Sequence, residues 1–107
     1  MKLYLSGPIT GVNNYRKNFE EAAQELRWRG YTDLINPAEL CTVLPVEHTT
    51  YEQYMTMCMD LLEMADAVVL LPGWEKSTGA NREVGYALAK DMVILDLGTM
   101  MQEEVKG

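Results

Sequence analysis

Several features are scarce in this sequence of 107 residues, and each scarcity argues against a class of protein. There are two cysteines, Cys41 and Cys58, and they form no Cys-x-x-Cys motif. The only histidine, His48, falls in a predicted loop, where a surface position is commoner than a role as general base. We therefore expect two reduced, mostly buried thiols and no zinc site.

Long apolar runs are also absent from the sequence. No stretch approaches the roughly 20 apolar residues that are needed to span a bilayer. The first residues, MKLYLSGPITG, carry a lysine and are interrupted at Gly7 and Pro8, which is too early for a signal peptide. We therefore expect a cytoplasmic protein that has no membrane partner.

Basic residues are outnumbered, with 9 Lys and Arg against 16 Asp and Glu, a formal net charge of −7. Binding to a nucleic-acid backbone depends on clustered Lys and Arg side chains, so this balance argues against a nucleic-acid partner. A small anionic ligand remains compatible with the composition, because a local site can oppose the net charge of the molecule.

What the sequence does contain is typical of one globular domain over residues 1–107. Its hydrophobic fraction is 48% and its charged fraction 23%, both close to globular averages. A domain of this size buries only about 60 to 70% of its unfolded surface, so a partner subunit would add to its stability. We expect a homodimer or a higher homo-oligomer, with the apolar helix predicted over residues 51–65 near the two-fold axis.

The hydrophobic pattern alternates between strands and helices. Short apolar runs predict strands at residues 2–6, 31–35, 67–71 and 92–95. Helical spacing predicts helices after residue 14, from residue 49 and from residue 80, and a short helix within residues 96–107. In the helix from residue 80, Val84, Ala87 and Leu88 are predicted to face inward. Residues 37–48 are predicted as a loop with one helical turn. This order predicts an α/β fold, a Rossmann-like or flavodoxin-like three-layer sandwich whose parallel sheet has four or five strands in the order 2-1-3-4.

Three loops follow the predicted strands and should meet at one cleft, because ligands bind at the carboxyl ends of parallel strands. The first loop is glycine-rich but matches neither the dinucleotide-binding nor the P-loop pattern, so a simple tight turn explains it equally well. Trp74, in the third loop, is either a wall of the cleft or an anchor of a subunit interface. The candidate ligand-binding residues in the three loops are Ser6, Gly7, Pro8, Ile9, Asn36, Trp74, Ser77 and Gly79.

Ser77 and Gly79 precede a predicted helix whose free amide groups and positive dipole end favour an anion, most naturally a phosphate. The alternative is that Ser77 or Thr78 only caps the helix, which is the commoner role of such residues.

Two carboxylates are candidates for chemistry. Glu83 falls in the first turns of the same helix, where it is either a solvated surface glutamate or a nucleophile aimed at the cleft. Asp60 stands among apolar neighbours without an evident basic partner, and a buried unpaired charge is costly unless it has a function. Two carboxylates about 5 Å apart would suit a retaining cleavage of a glycosidic bond. Tyr4, in the first strand, needs a partner for its hydroxyl if it is buried.

Three segments carry a likeness to a known family: YLSGPITG at residues 4–11, DAVVLLPGWEKS at 66–77 and STGANREVGYA at 77–87. The chain resembles the nucleoside 2-deoxyribosyltransferase superfamily, which includes the 2-deoxynucleoside 5-monophosphate N-hydrolases. The likeness is strongest to a compact, often phage-encoded branch of uncharacterised function.

The resemblance implies roles for single residues. It makes Glu83 the nucleophile at the anomeric carbon, Asp60 the carboxylate that assists the leaving base, and Tyr4 the residue that orients Glu83. It places Ser77 where the hydrolases bind phosphate, which implies a nucleotide substrate, and it implies neither a metal nor an organic cofactor.

Three functions stay open at this point. The first is cleavage or transfer at the N-glycosidic bond of a (deoxy)nucleoside 5-monophosphate. The second is a non-catalytic module that binds or sequesters nucleotides through the Gly7 and Ser77 loops. The third is a structural assembly protein, for which the acidic surface and the methionine-rich helix would be the relevant features.

Overall fold

The computed structural model describes residues 1–105, apart from the side chains of Val46 and of residues 103–105. Single turns of 3-10 helix occur at Pro37–Glu39, Val46–His48 and Trp74–Lys76. The helices and strands, in chain order, are β1 (Leu3–Ser6), α1 (Tyr15–Trp28), β2 (Leu34–Ile35), α2 (Leu40–Val43), α3 (Tyr51–Glu63), β3 (Ala67–Leu70), α4 (Thr78–Ala89), β4 (Val93–Asp96) and α5 (Leu97–Val105). None of the helices within residues 1–105 is long and apolar enough to cross a membrane.

The described strands form a four-stranded, all-parallel sheet in the order β2-β1-β3-β4. Tyr4 of β1 pairs with Val68 of β3, which in turn pairs with Ile94 of β4. Every residue of β1 and β3 is buried, as expected for central strands that are covered by helices on both faces. The predicted Rossmann-like or flavodoxin-like fold class and strand order are therefore confirmed.

The core lies on both faces of this sheet. On one face Leu5 packs with Phe19 of α1 and Leu97 of α5. On the other face Tyr4 packs with Cys58 of α3 and Ala87 of α4. Successive side chains of a strand point to opposite faces, so Tyr4 and Ser6 both point toward the layer formed by α3 and α4.

Two predictions about local structure are wrong. The second strand was predicted over residues 31–35 but comprises only Leu34–Ile35, because this edge strand is paired on one side alone and residues 31–33 are exposed. Leu88 was predicted to face inward but is 63% exposed. The buried stripe of α4 consists of Ala80, Glu83 and Ala87, and Leu88 lies outside it. The predicted helix near the C-terminal end is present as α5.

Gly7 ends β1 at a place where the backbone passes close to the core. A Cβ atom added at Gly7 would lie 2.9 Å from Leu71 Cβ and 3.6 Å from Phe19 Cζ. We predict that Gly7→Ala lowers the free energy of unfolding by about 1 to 3 kcal/mol, since overpacking forces neighbouring groups apart. Denaturant titration measures this change.

Gly85→Ala is the matched control for this prediction. Gly85 lies in α4, and a Cβ atom there would have no neighbour within 4 Å. The control should leave the free energy of unfolding unchanged or raise it by up to about 1 kcal/mol, because alanine favours helix more than glycine does. A Gly7→Ala variant as stable as Gly85→Ala would contradict the tight packing of this loop.

Candidate active site

Glu83 of α4 is a buried carboxylate whose two oxygens both have hydrogen-bond donors from β1. Its side chain is 5% exposed. Ser6 Oγ donates to Glu83 Oε1 at 2.7 Å, and the Tyr4 hydroxyl donates to Glu83 Oε2. Tyr4 and Ser6 can both reach the carboxylate because they are two residues apart on the same face of a central strand. The carboxylate is therefore held in one orientation by rigid parts of the fold.

The electrostatics of this group follow from its burial. Burial raises the pKa of Glu83 above the ordinary value for glutamate, although the hydrogen bonds from Tyr4 and Ser6 partly offset the rise. Burial and the nearby charge of Glu83 raise the pKa of Tyr4 well above its usual value, so the phenol keeps its proton. Tyr4 thus remains a donor, and Glu83 becomes ionised at a higher pH than an exposed glutamate.

A cavity of about 600 Å³ opens beside Glu83 at the carboxyl ends of the strands. Its volume lies within the range of about 300 to 1,000 Å³ that is usual for small-molecule sites. Gly7, Pro8 and Ile9 line it from the loop after β1, and Ser77 and Gly79 line it from the start of α4. Pro37 lines the cavity from the loop after β2, so all three predicted loops converge on one cavity.

The wall of the cavity on the side of α3 consists of aromatic and sulfur-containing side chains. Tyr51, Tyr54, Met55 and Cys58 line the cavity at helical spacing. The Tyr54 hydroxyl donates to the Pro37 carbonyl oxygen at 2.9 Å. Burial raises the pKa of the Cys58 thiol to about 11, so this group stays protonated at neutral pH. The helix predicted over residues 51–65 was expected near the two-fold axis of a homo-oligomer, and its role as a wall of the cavity was not predicted.

Asp60 does not lie in this cavity. Its side chain is exposed, so the expectation that it stands among core positions is wrong. Asp60 follows Tyr51 by nine residues, which is about two and a half helical turns and places it on the opposite side of α3. Among the described side chains, Glu83 is the one carboxylate that lines the cavity.

Ser77 is the N-cap residue of α4, because its Oγ accepts a hydrogen bond from the Ala80 amide at 3.1 Å. Ser77 therefore has the capping role that was the alternative to anion binding. The Ser77 hydroxyl keeps its own proton for a second partner. Lys76 and Thr78 also line the cavity here, so one cation and the positive end of a helix dipole adjoin the same space.

Three predicted ligand-binding residues have structural contacts and do not line the cavity. Ser6 is fully buried, and its hydroxyl donates to Glu83. Asn36 Oδ1 accepts from the Ala38 amide at 3.0 Å and so caps the turn after β2. Trp74 is half-buried against the core cluster on the α3 and α4 face of the sheet. Within the described residues, no group of three or more His, Cys, Asp and Glu side chains is arranged to hold a metal ion.

An ion pair connects the beginnings of α3 and α4 beside the cavity. The Arg82 guanidinium donates to both carboxylate oxygens of Glu52, at 2.9 and 3.0 Å. The same guanidinium lies 5.7 Å from the centre of the Tyr51 ring. Because this pair is exposed, its contribution to the free energy of unfolding is small. The pair balances the charge of Arg82 beside the Tyr51 ring.

Comparison with known proteins places this site within a family. A family model described as Domain of unknown function (DUF4406) matches residues 1–96. The chain belongs to this family. No curated protein and no solved structure matches the chain. The DUF4406 match runs from β1 to the end of β4, so it contains Tyr4, Ser6 and Glu83.

Proposed function

We propose that this DUF4406 protein cleaves or transfers the N-glycosidic bond of a (deoxy)nucleoside 5-monophosphate, with Glu83 as the nucleophile. The observation that carries the proposal is the buried Glu83 carboxylate, which faces a ligand-sized cavity and accepts hydrogen bonds from Tyr4 and Ser6. A carboxylate costs free energy when it is buried, and such placement is common at catalytic sites. Incubation with a panel of nucleoside monophosphates, followed by detection of free base, tests the proposal.

The reaction has two steps. In the first, a Glu83 oxygen forms a bond to the anomeric carbon while the bond from that carbon to the base breaks, and the base leaves with the electron pair. In the second, water attacks the anomeric carbon, the bond to Glu83 breaks, the carboxylate is regenerated, and the proton that the water loses passes to the released base or to solvent. In a transfer reaction, a second base takes the place of water. The hydroxyls of Tyr4 and Ser6 stabilise the carboxylate each time it is released.

The phosphate end of the substrate is assigned to Ser77, Lys76 and the first amides of α4. We predict that inorganic phosphate raises the melting temperature of the protein through simple linkage, and that Ser77→Ala reduces this rise. Ser77→Ala also removes a helix cap, at a cost of about 1 kcal/mol, so the quantity compared is the shift that phosphate produces in each protein.

Thr50→Ala is the control for the lost cap. Thr50 is the N-cap residue of α3 and accepts from the Gln53 amide at 3.1 Å. This variant should lose similar stability but keep the full shift with phosphate. An undiminished shift in Ser77→Ala would mean that Ser77 is a helix cap and no more.

The second candidate function is a module that binds nucleotides without cleaving them. It is favoured by one observation: among the described side chains, Asp60 is outside the cavity and Glu83 is not joined there by another carboxylate. This candidate needs the Gly7 and Ser77 loops but no nucleophile. Nucleotide binding without release of any base would support it over the first.

A further inference from the structure

The space around Glu83 has a chemical character that suits a positively charged ring. Glu83, Tyr54 and Cys58 line the same cavity, whereas Tyr51 and Met55, which also line it, lie against Gly79 at the start of α4. Carboxylates and the faces of aromatic rings both attract cations. The nearby cation Arg82 is already paired with Glu52.

The hydroxyl protons of Tyr4, Ser6 and Tyr54 already have acceptors. The proton of Tyr4 is donated to Glu83, and so is the proton of Ser6. The proton of Tyr54 is donated to the Pro37 carbonyl oxygen. Cys58 keeps its proton, since burial raises the pKa of its thiol to about 11, which makes it a weak acid. These groups are therefore poorly placed to protonate a departing base.

We propose that the substrate is a nucleoside 5-monophosphate whose base carries a fixed positive charge. The charge lies on the ring nitrogen that is bonded to the sugar, as in pyridinium bases, or elsewhere in the same ring system, as in N-alkylated purines. This inference rests on the proposed function. When Glu83 bonds to the anomeric carbon, the electron pair of the broken bond neutralises the charge on the base. The base then leaves as a neutral molecule and needs no proton from the protein.

The opposite end of the cavity supports the same substrate class. Lys76, Ser77 and the start of α4, with the adjacent Tyr51 hydroxyl, can hold a phosphate, whereas Glu83 and the Tyr54 ring can hold a cation. Ser77 and Glu83 are six residues apart, or about 9 Å along the helix axis. The cavity thus has a positive and a negative end, and a nucleotide with an anionic phosphate and a cationic base has the complementary polarity.

Nicotinamide mononucleotide is a suitable probe, and guanosine and 2-deoxyguanosine 5-monophosphate are the neutral-base comparators. We expect the kcat/KM for nicotinamide release to exceed that for guanine release by at least about a hundredfold, a ratio that corresponds to two tenfold steps in transition-state stabilisation. The rates are measured by chromatography of the free bases, and the Glu83→Gln protein supplies the background rate for each compound.

The outcomes separate this inference from the function on which it rests. Release of guanine from either comparator as fast as release of nicotinamide would overturn the cationic substrate and leave the glycosidase intact. No release of any base above the Glu83→Gln background would overturn the glycosidase itself, and the cationic substrate with it. Faster release of nicotinamide, lost in Glu83→Gln, supports both.

Discussion

Replacing Glu83 with glutamine is expected to lower the rate of base release by roughly a thousandfold or more, as is usual when a covalent nucleophile is removed. Glutamine keeps the size of the side chain and still offers an oxygen to the Tyr4 hydroxyl, while the Ser6 hydroxyl can accept from its amide group. It lacks the charged oxygen that attacks the anomeric carbon. Chromatography of the free base measures the rate, and calorimetric titration should show that nucleotide binding is largely intact.

Asp60→Asn is the control for this variant, because it also neutralises a carboxylate. Asp60 is exposed on the side of α3 that faces away from the cavity. Its replacement should change the rate by no more than about twofold, as expected of a surface substitution. Full activity in Glu83→Gln would refute the glycosidase, and a large loss in Asp60→Asn would show that the second carboxylate acts despite its position.

Tyr4→Phe should shift the activity along the pH scale as well as reduce it. The change removes the donor to Glu83 Oε2, which stabilises the ionised carboxylate, so the already raised pKa of Glu83 should rise further. Activity requires the ionised form and increases as the pH rises through this pKa. Hydrogen bonds to charged groups contribute about 1.5 to 3 kcal/mol. We therefore expect kcat/KM to fall by roughly tenfold to a hundredfold on the acidic side and to recover in part at higher pH.

Tyr54→Phe separates this effect from the loss of any buried hydroxyl in the cavity region. The Tyr54 hydroxyl donates to the Pro37 carbonyl oxygen and not to Glu83. The control can lose some stability or some activity, but the acidic limb of its plot of log kcat/KM against pH should bend at the same pH as that of the wild type. Equal shifts in both variants, or none in Tyr4→Phe, would contradict the role of Tyr4 as a positioning residue for Glu83.

The order of helices and strands could be predicted because the segments are sharply bounded. The run at Ala67–Leu70 is wholly apolar and is followed by Pro72 and Gly73, so its strand is evident without any tertiary information. The extent of β2 could not be predicted. The predicted order already put this strand at the edge of the sheet, but an edge strand is paired on one side only, and the sequence does not show how far that pairing extends.

The candidate site could be predicted only in part. The likeness pointed to Glu83 and Tyr4, and the structure brings these two together with Ser6. The apolar neighbours of Asp60 in sequence suggested burial, but in a helix adjacent residues face directions about 100° apart, so such neighbours do not share its surroundings. The cavity wall formed by Tyr51 and Cys58 was not predicted, because residues that line a cavity from one face of a helix are spaced in sequence in the same way as residues that pack in the core.

The most direct test of Glu83 as the nucleophile is peptide mass spectrometry after incubation with a nucleotide that carries fluorine at the 2-position of the sugar. Fluorine at this position slows hydrolysis of the glycosyl-enzyme, so the intermediate should accumulate. We predict that the peptide containing Glu83 gains the mass of the fluorinated sugar phosphate in the wild type and not in Glu83→Gln. Release of the base with no added mass on that peptide, or with the mass on another residue, would contradict this account.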